Sequence, residues 1–348
     1  MSLSQLQQPE EEAPPPIEWA PSLECWCIYD VMSITTILKS TDFSVVNYVD
    51  LYRSVEQKVG MDCSMLIRAL CHIPLCNEGI AHTELRRDLA RLVSTQTTQA
   101  KKHLATFIPA LVANVCRSGS RVDLVQDLVR PVADAFFACL LGVDLPLLAR
   151  VGSDISISQI FDRSLSLNRR KAISSQADGI LQAFGAATER LKTSPDYALA
   201  LTVIGHDSIV ASLGRSLLSV LEDGAGKRLC DLTFPASFPE TGVPYTERLA
   251  NKDCTVNGIN LRDGDRVRLY LDAEKPSTGQ AGEVRPFFGR GRHSCVGEEI
   301  SIWLWQTLTA ELSHLPLKFS VEAARRRQRD YVFVYYSNIA VHFHAGSD

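Results

Sequence analysis

Residues 288–297, "FGRGRHSCVG", set one thiol, Cys295, in a loop with glycines at 289 and 291 and cationic side chains at 290, 292 and 293. Glycine allows backbone conformations and a close ligand approach that a side chain would block. Downstream, Ile300, Trp303, Leu304, Leu308, Leu312 and Leu315 recur at helix spacing, which predicts that Cys295 lies just before a helix N-terminus. Free amides and the helix dipole there favour a thiolate over a thiol, and Glu298 and Glu299 suit the first turn. A thiolate on a glycine-rich loop is a good ligand for a soft transition metal. The plain alternative is a buried cysteine in an ordinary strand-to-helix turn. Other sulfur and imidazole groups make weaker cases. Cys25-x-Cys27 and the Cys71-His72…Cys76 group lack paired C-x-x-C spacing and read as buried thiols. His342 and His344 share one face of a strand, but two such residues are too few for a metal site.

The elements that must hold this loop are mostly helical. "AHTELRRDLARLVSTQ", "VDLVQDLVRPVADAFFACLLGV" and "SPDYALALTVIGHDSIVASLGRSLLSVLEDG" recur at helix spacing. The third has Ser194 as N-cap and Pro195 at the first helical position, and it ends near Gly224. Its apolar middle, "ALALTVIG", predicts a buried helix. After about 230 the pattern turns strand-like. "CTVNGINLRDGDRVRLYLD" reads as a β meander with Asn-Gly and Asp-Gly turns, and "DYVFVYYSNIAVHFHA" as a hairpin. The Pro- and Glu-rich residues 1–20 are expected to be a disordered tail, leaving 21–348 as a single domain, mainly α with a small β portion. The chain has 348 residues, a net charge of -4 and 45% apolar residues, the balance of a soluble protein with a large core. That charge gives no reason to expect nucleic acid or an anionic membrane as partner. No apolar run approaches the roughly 20 residues that span a bilayer. A cytoplasmic protein with reduced thiols is expected. The basic run Arg325–Arg329 is read as a solvated loop or helix end.

The pattern Phe-Gly-x-Gly-x-His-x-Cys-x-Gly, filled here by Phe288, Gly289, Gly291, His293, Cys295 and Gly297, resembles the haem-ligand loop of the cytochrome P450 family. The resemblance implies a helical fold around a buried haem b (iron protoporphyrin IX), with Cys295 as the axial metal ligand pushing electron density onto iron. Three further stretches agree in order. "AHTELRR" resembles the family's His-x-x-x-Arg helix, so His82 and Arg86 would grip haem propionates. "VIGHDSIVASL" resembles its oxygen-binding helix: Gly205 would leave room for a diatomic ligand, and Asp207 and Ser208, with serine for the usual threonine, would relay protons. "VPYTERLANKDCTVNGINLRDGD" resembles the strand region in which an arginine, here Arg248, reaches a propionate. The likeness covers nearly all of residues 60–348.

Two departures stand beside it. The family's Glu-x-x-Arg helix should fall at Pro235–Phe238, where both charges are missing. The stretch from Arg268 to Phe288 is about ten residues short and lacks the usual meander. Both parts brace the cysteine loop in the family, so their joint loss implies a remodelled proximal side. The expected function is a haem-thiolate monooxygenase acting on a small apolar or natural-product substrate in secondary metabolism. A ferredoxin-type donor would feed it, docking near Arg290 and Arg292, and a carrier protein is a further expected partner. The alternatives are a haem-thiolate peroxygenase, dehydratase or rearrangement catalyst, and a degenerate P450-like partner protein.

Overall fold

The computed structural model describes residues 16–117, 119–143, 157–191, 194–272, 286–327 and 332–345. Helices dominate: α1 (Val31–Lys39), α2 (Tyr48–Val59), α3 (Ser64–Cys71), α4 (Gly79–Val115), α5 (Arg130–Leu141), α6 (Leu167–Leu191), α7 (Pro195–Leu201), α8 (Asp207–Asp223) and α9 (Glu298–Ser313). The fold class is therefore mainly α with small sheets, as the periodicity predicts. One large apolar core joins the helices, and a smaller one lies between α1 and the five-stranded sheet.

That sheet runs in the order Ile17–Ala20, Cys25–Ile28, Arg266–Tyr270, Tyr245–Ala250, Phe43–Val45. Its first strand overlaps the expected tail, which therefore ends earlier than residue 20; residues 1–15 lie outside the described residues. Ile17–Ala20 is ordered because it pairs along its whole length with Cys25–Ile28, and Trp19 and Trp26 meet edge-on at 5.5 Å. Across the sheet, Arg268 stands opposite Glu247 and donates to its carboxylate at 2.9 Å. The expected meander is divided. Cys254–Val256 and Ile259–Leu261 form a hairpin on the left-handed pair Asn257 and Gly258, whereas Arg266–Tyr270 leaves it for the large sheet. The last strand, Tyr336–Ala345, pairs with Leu317–Arg326 and not within its own stretch. Arg325 and Arg326 therefore belong to a strand.

Pro195–Asp223 is a continuous rod, capped by the Ser194 hydroxyl, which accepts from the Asp196 amide. By length and composition it could cross a membrane, but 67% of its most apolar stretch is buried inside the protein, as befits a core helix. Thr202–His206 in its middle is wound as a π-helix, an irregularity frequent at functional sites.

Between α8 and Tyr245 there is no α-helix, only a 3₁₀ turn at Leu229–Asp231. Where the family's Glu-x-x-Arg helix was sought, residues 232–244 form an extended strap. Its backbone bonds are taken by side chains of two helices. The Trp305 indole donates to the Pro235 carbonyl at 2.8 Å, and the Gln306 amide donates to that of Ala236 at 2.8 Å. The Ser216 hydroxyl donates to the Glu240 carbonyl at 2.8 Å, and the Gly242 amide donates to Ser212 Oγ at 2.9 Å. Gly242 lies so close to α8 that a Cβ there would sit 2.5 Å from the Ser212 amide nitrogen. Most of the shortened stretch after Arg268, residues 273–285, lies outside the described residues. Gly242→Ala is expected to force the strap off α8 and lower the unfolding free energy by about 1–3 kcal/mol, the usual cost of overpacking, measured by urea denaturation.

Candidate functional site

The cysteine loop is built by its own backbone. The Cys295 amide donates to the Phe288 carbonyl at 2.8 Å and closes the loop; the Gly289 amide donates to Pro286 at 2.8 Å. Gly289 and Gly291 have φ of 69° and 71°, a region that L side chains avoid. A Cβ on Gly291 would also meet the Leu38 carbonyl oxygen at 2.6 Å, so glycine lets the loop lie against the end of α1. Helix α9 then starts at Glu298, with Gly297 as its N-cap residue, as the spacing predicts. The Gly297 amide donates to Cys295 Sγ at 3.3 Å. Lys101 of α4 clamps the same helix end, pairing with Glu299 at 3.0 Å and lying over the Trp303 ring.

Cys295 is exposed to the space it lines, a cavity of about 300 Å³. Burial pushes its pKa up, against the opposing pull of the Gly297 amide. The expected preference for thiolate is therefore not met by the polypeptide alone. The Gly297 amide and the more weakly acting Arg86 guanidinium do not offset the desolvation of the sulfur, to which Glu298 adds.

Four more expected residues line that cavity: His82, Arg86, Arg248 and His293. His82 and Arg86 lie one turn apart on α4. Arg86 donates to the Ser294 carbonyl and, at 3.0 Å, to its hydroxyl, tying α4 to the cysteine loop. The His82 and His293 rings lie 4.1 Å apart. His82 Nε2 and His293 Nδ1 are buried without a hydrogen-bond partner. Burial, with Arg86, lowers the pKa of His82; burial, Arg248 and His82 lower that of His293 to about 4. Both rings are neutral at pH 7. Arg248 is 4% exposed and donates only to Thr246 Oγ1 at 3.1 Å and the Glu247 carbonyl at 2.8 Å. Burial pulls its pKa down to about 10.

On the opposite wall, Ile204, Ser208, Ile209 and Ser212 line the cavity, but Gly205 and Asp207 do not. Gly205 packs against Phe137, whose ring a Cβ would meet at 2.7 Å, so packing accounts for the glycine and room for a diatomic ligand does not. Asp207 accepts from His206 Nδ1 at 3.3 Å, while His206 Nε2 donates to Asp134 of α5 at 2.6 Å. Burial opposes charge on His206, but the two carboxylates outweigh it and raise its pKa to about 9. Asp207 is thus engaged by a buried imidazolium and is not presented to the cavity. The Ser208 hydroxyl turns back to the Ile204 and Gly205 carbonyls, both at 2.9 Å.

No family model and no curated protein matches the sequence. Solved structures do match. P450BioI in complex with an acyl carrier protein ligated with hexadec-9Z-enoic acid superposes with a TM-score of 0.75 at 18% identity, over 94% of this chain and 94% of that one. CalO2 gives a TM-score of 0.74 at 17% identity, over 95% and 94%. P450 RauA, complexed with a biosynthetic intermediate of aurachin RE, gives 0.72 at 16% identity, over 95% and 93%. The chain has the cytochrome P450 fold. At these identities the likeness speaks for the fold, and the site must be judged on its own atoms.

The residues present fit the haem that the P450 fold implies. A thiol, two imidazole rings that each keep one buried nitrogen unpartnered, and a buried guanidinium with no carboxylate partner among the described residues line one cavity, whose remaining wall is largely apolar. A planar apolar ring carrying a metal for the thiol and two carboxylates for the cationic side suits this lining. Phe288 also lines this space, while Gly297 stands behind the sulfur. Sequence reasoning missed His206, Asp134 and the aromatic strap. His206 was visible in "GHDS", but its partner Asp134 is brought to it only by the packing of α5. Among the described residues no group of three or more His, Cys, Asp or Glu side chains could hold a metal; of the thiols read as buried, Cys25, Cys27 and Cys76 are buried and Cys71 is half-buried.

Two outcomes are expected. Because Arg248 is a buried cation in search of an anion, Arg248→Met should stabilise the haem-free protein by about 1–3 kcal/mol in urea unfolding while weakening haem uptake on titration. His206 titrates above its ordinary value of 6.5. Its charge therefore stabilises the fold fully below about pH 6.5, and that contribution is lost as pH rises through about 9. On the order of 3 kcal/mol separates wild type from His206→Gln at the acid end, and unfolding measured across this window should show the difference shrinking.

Proposed function

We propose that the protein is a haem-thiolate monooxygenase of the cytoplasm that binds haem b and oxidises a small apolar or natural-product substrate. The observation that carries the reading is that the Cys295 thiol, the His82 and His293 rings, each with one unpartnered buried nitrogen, and the buried Arg248 residue line one cavity. Bound haem supplies oxygen activation at its iron, which the Cys295 thiolate enriches in electron density. The chain supplies the rest. Arg86, Arg248, His82 and His293 would hold the propionates. Val46, Leu75, Phe161, Ile204 and Ile209 keep water out and favour an apolar substrate. On the distal side the Ser208 and Ser212 hydroxyls stand on the cavity wall, and His206, which does not line the cavity, holds a proton at Nδ1 beside Asp207.

A ferredoxin-type donor and a carrier protein are the proposed partners. P450BioI, solved with an acyl carrier protein, supports the second. For the first, Arg292 is already engaged by the Phe43 carbonyl at 2.6 Å and by Glu78 at 3.3 Å, which leaves Arg290 as the more available arginine of the loop. Nucleic acid and membrane have no part in this reading. A second reading, a haem-thiolate enzyme without an electron partner, is favoured by one observation: Asp207 is turned to His206 and away from the cavity.

The test is the absorption spectrum of haem-loaded protein, reduced under carbon monoxide. A strongly red-shifted Soret band is expected in wild type and should be lost in Cys295→Ala. Turnover that needs reduced ferredoxin supports the monooxygenase; turnover with hydrogen peroxide alone supports the second reading. A folded chain that takes up no haem would leave the degenerate partner protein.

A further inference from the structure

We propose that Phe238 and Trp305 are positioning residues for the Cys295 ligand, an aromatic brace standing where the P450 fold ordinarily has a charged pair; the inference rests on the haem-thiolate reading above. The Phe238 ring lies between two others, 5.5 Å from Trp305 and 6.0 Å from Phe288. Trp305 is fully buried on α9, the helix that follows Cys295, and Phe234 meets its ring edge-on at 6.4 Å. Phe288 opens the cysteine loop, and its carbonyl accepts the Cys295 amide at 2.8 Å. A chain of direct contacts therefore runs from the strap through two rings to the backbone that aims the sulfur.

The brace is fixed at both ends. The Trp305 indole and the Gln306 amide fasten the strap to α9, and the bonds from Ser216 and Gly242 fasten it to α8, on the far side of the cavity. Phe238 and Phe288 also line the cavity that holds Cys295. The contacts are apolar and fully formed within the polypeptide. Loss of both members of a charged pair leaves no unpaired charge, and rings packed tilted and edge-on fill the space at little cost. A brace of this kind sets where Phe288 stands, and hence where the thiolate meets the metal, without touching either.

Phe238→Ala and Phe238→Leu are compared with wild type after haem loading, by haem content and by the ferrous carbon-monoxide spectrum. Both variants should still bind haem. The red-shifted thiolate band should be lost in the alanine variant and reduced in the leucine variant, giving way to a shorter-wavelength band. Phe238→Tyr, which keeps the ring, should retain the thiolate band. A purely structural role would lower the melting temperature and leave the band position unmoved in the haem-bound fraction, which overturns the assignment. If the alanine variant does not fold, the leucine variant decides by the same criterion. A wild-type protein that binds haem without the thiolate band would overturn the haem-thiolate reading itself, and the brace with it.

Discussion

The structure turns on one hydrogen bond, from the Cys295 amide to the Phe288 carbonyl, 2.8 Å long. It closes a loop with two left-handed glycines, which the Gly289 bond to Pro286 and the Ser294 bond to Gly291 also hold. It also places a sulfur at the end of α9 with its back to a Gly297 amide and its face to an apolar cavity. Everything packed around the loop serves to keep that bond in register. Arg86 holds Ser294 from α4, the end of α1 lies under Gly291, and Lys101 clamps the first turn of α9. The haem-free polypeptide tolerates a poorly solvated site in return. Each of two neutral imidazoles keeps one buried nitrogen unpaired, a guanidinium is buried beside backbone carbonyls, and burial holds the thiol toward its protonated form. A site of this kind is complementary to a molecule other than water.

The opposite wall follows a different logic. There the charges are already matched: an imidazolium sits between two carboxylates at a π-helical turn, and the glycine beside it serves ring packing. One wall is poised to receive charge, and the other has internalised its own. The difference explains why the wall bearing Cys295 points so directly to haem while the wall bearing Ser208 leaves two chemistries open.

Much of this was legible in the sequence because it is local. The cysteine loop, the start of α9 and the cap at Ser194 follow from neighbouring residues and hold to within a residue. His82, Arg86, Arg248 and His293 were placed by the spacing of short patterns, and the fold brings them to one cavity. Three features were not legible. Asp207 looks like a free acid until α5 delivers Asp134 to the histidine between them. The strap carries no helical or strand period, so its missing charges could be counted but the rings that stand in for them could not. The pairing of Ile17–Ala20 depends on a partner strand held in place by the C-terminal half, which no composition signal reports. In each case the deciding partner is far away in sequence.

That distance has a consequence for how the molecule comes into being. Arg292, in the cysteine loop, reaches the carbonyl of Phe43 across 249 residues, and the strand at Cys25–Ile28 lies parallel to Arg266–Tyr270. Contacts of such long range form late, since the entropy of closing the chain must be met before they return anything. On the ribosome, the helices of the middle of the chain can therefore gather first as an unfinished shell. The two margins of the sheet meet only after the C-terminal third has emerged. Assembly of the pocket then waits for the cysteine loop at 288–297, and until that loop arrives the long apolar rod Pro195–Asp223 has no finished interior to enter.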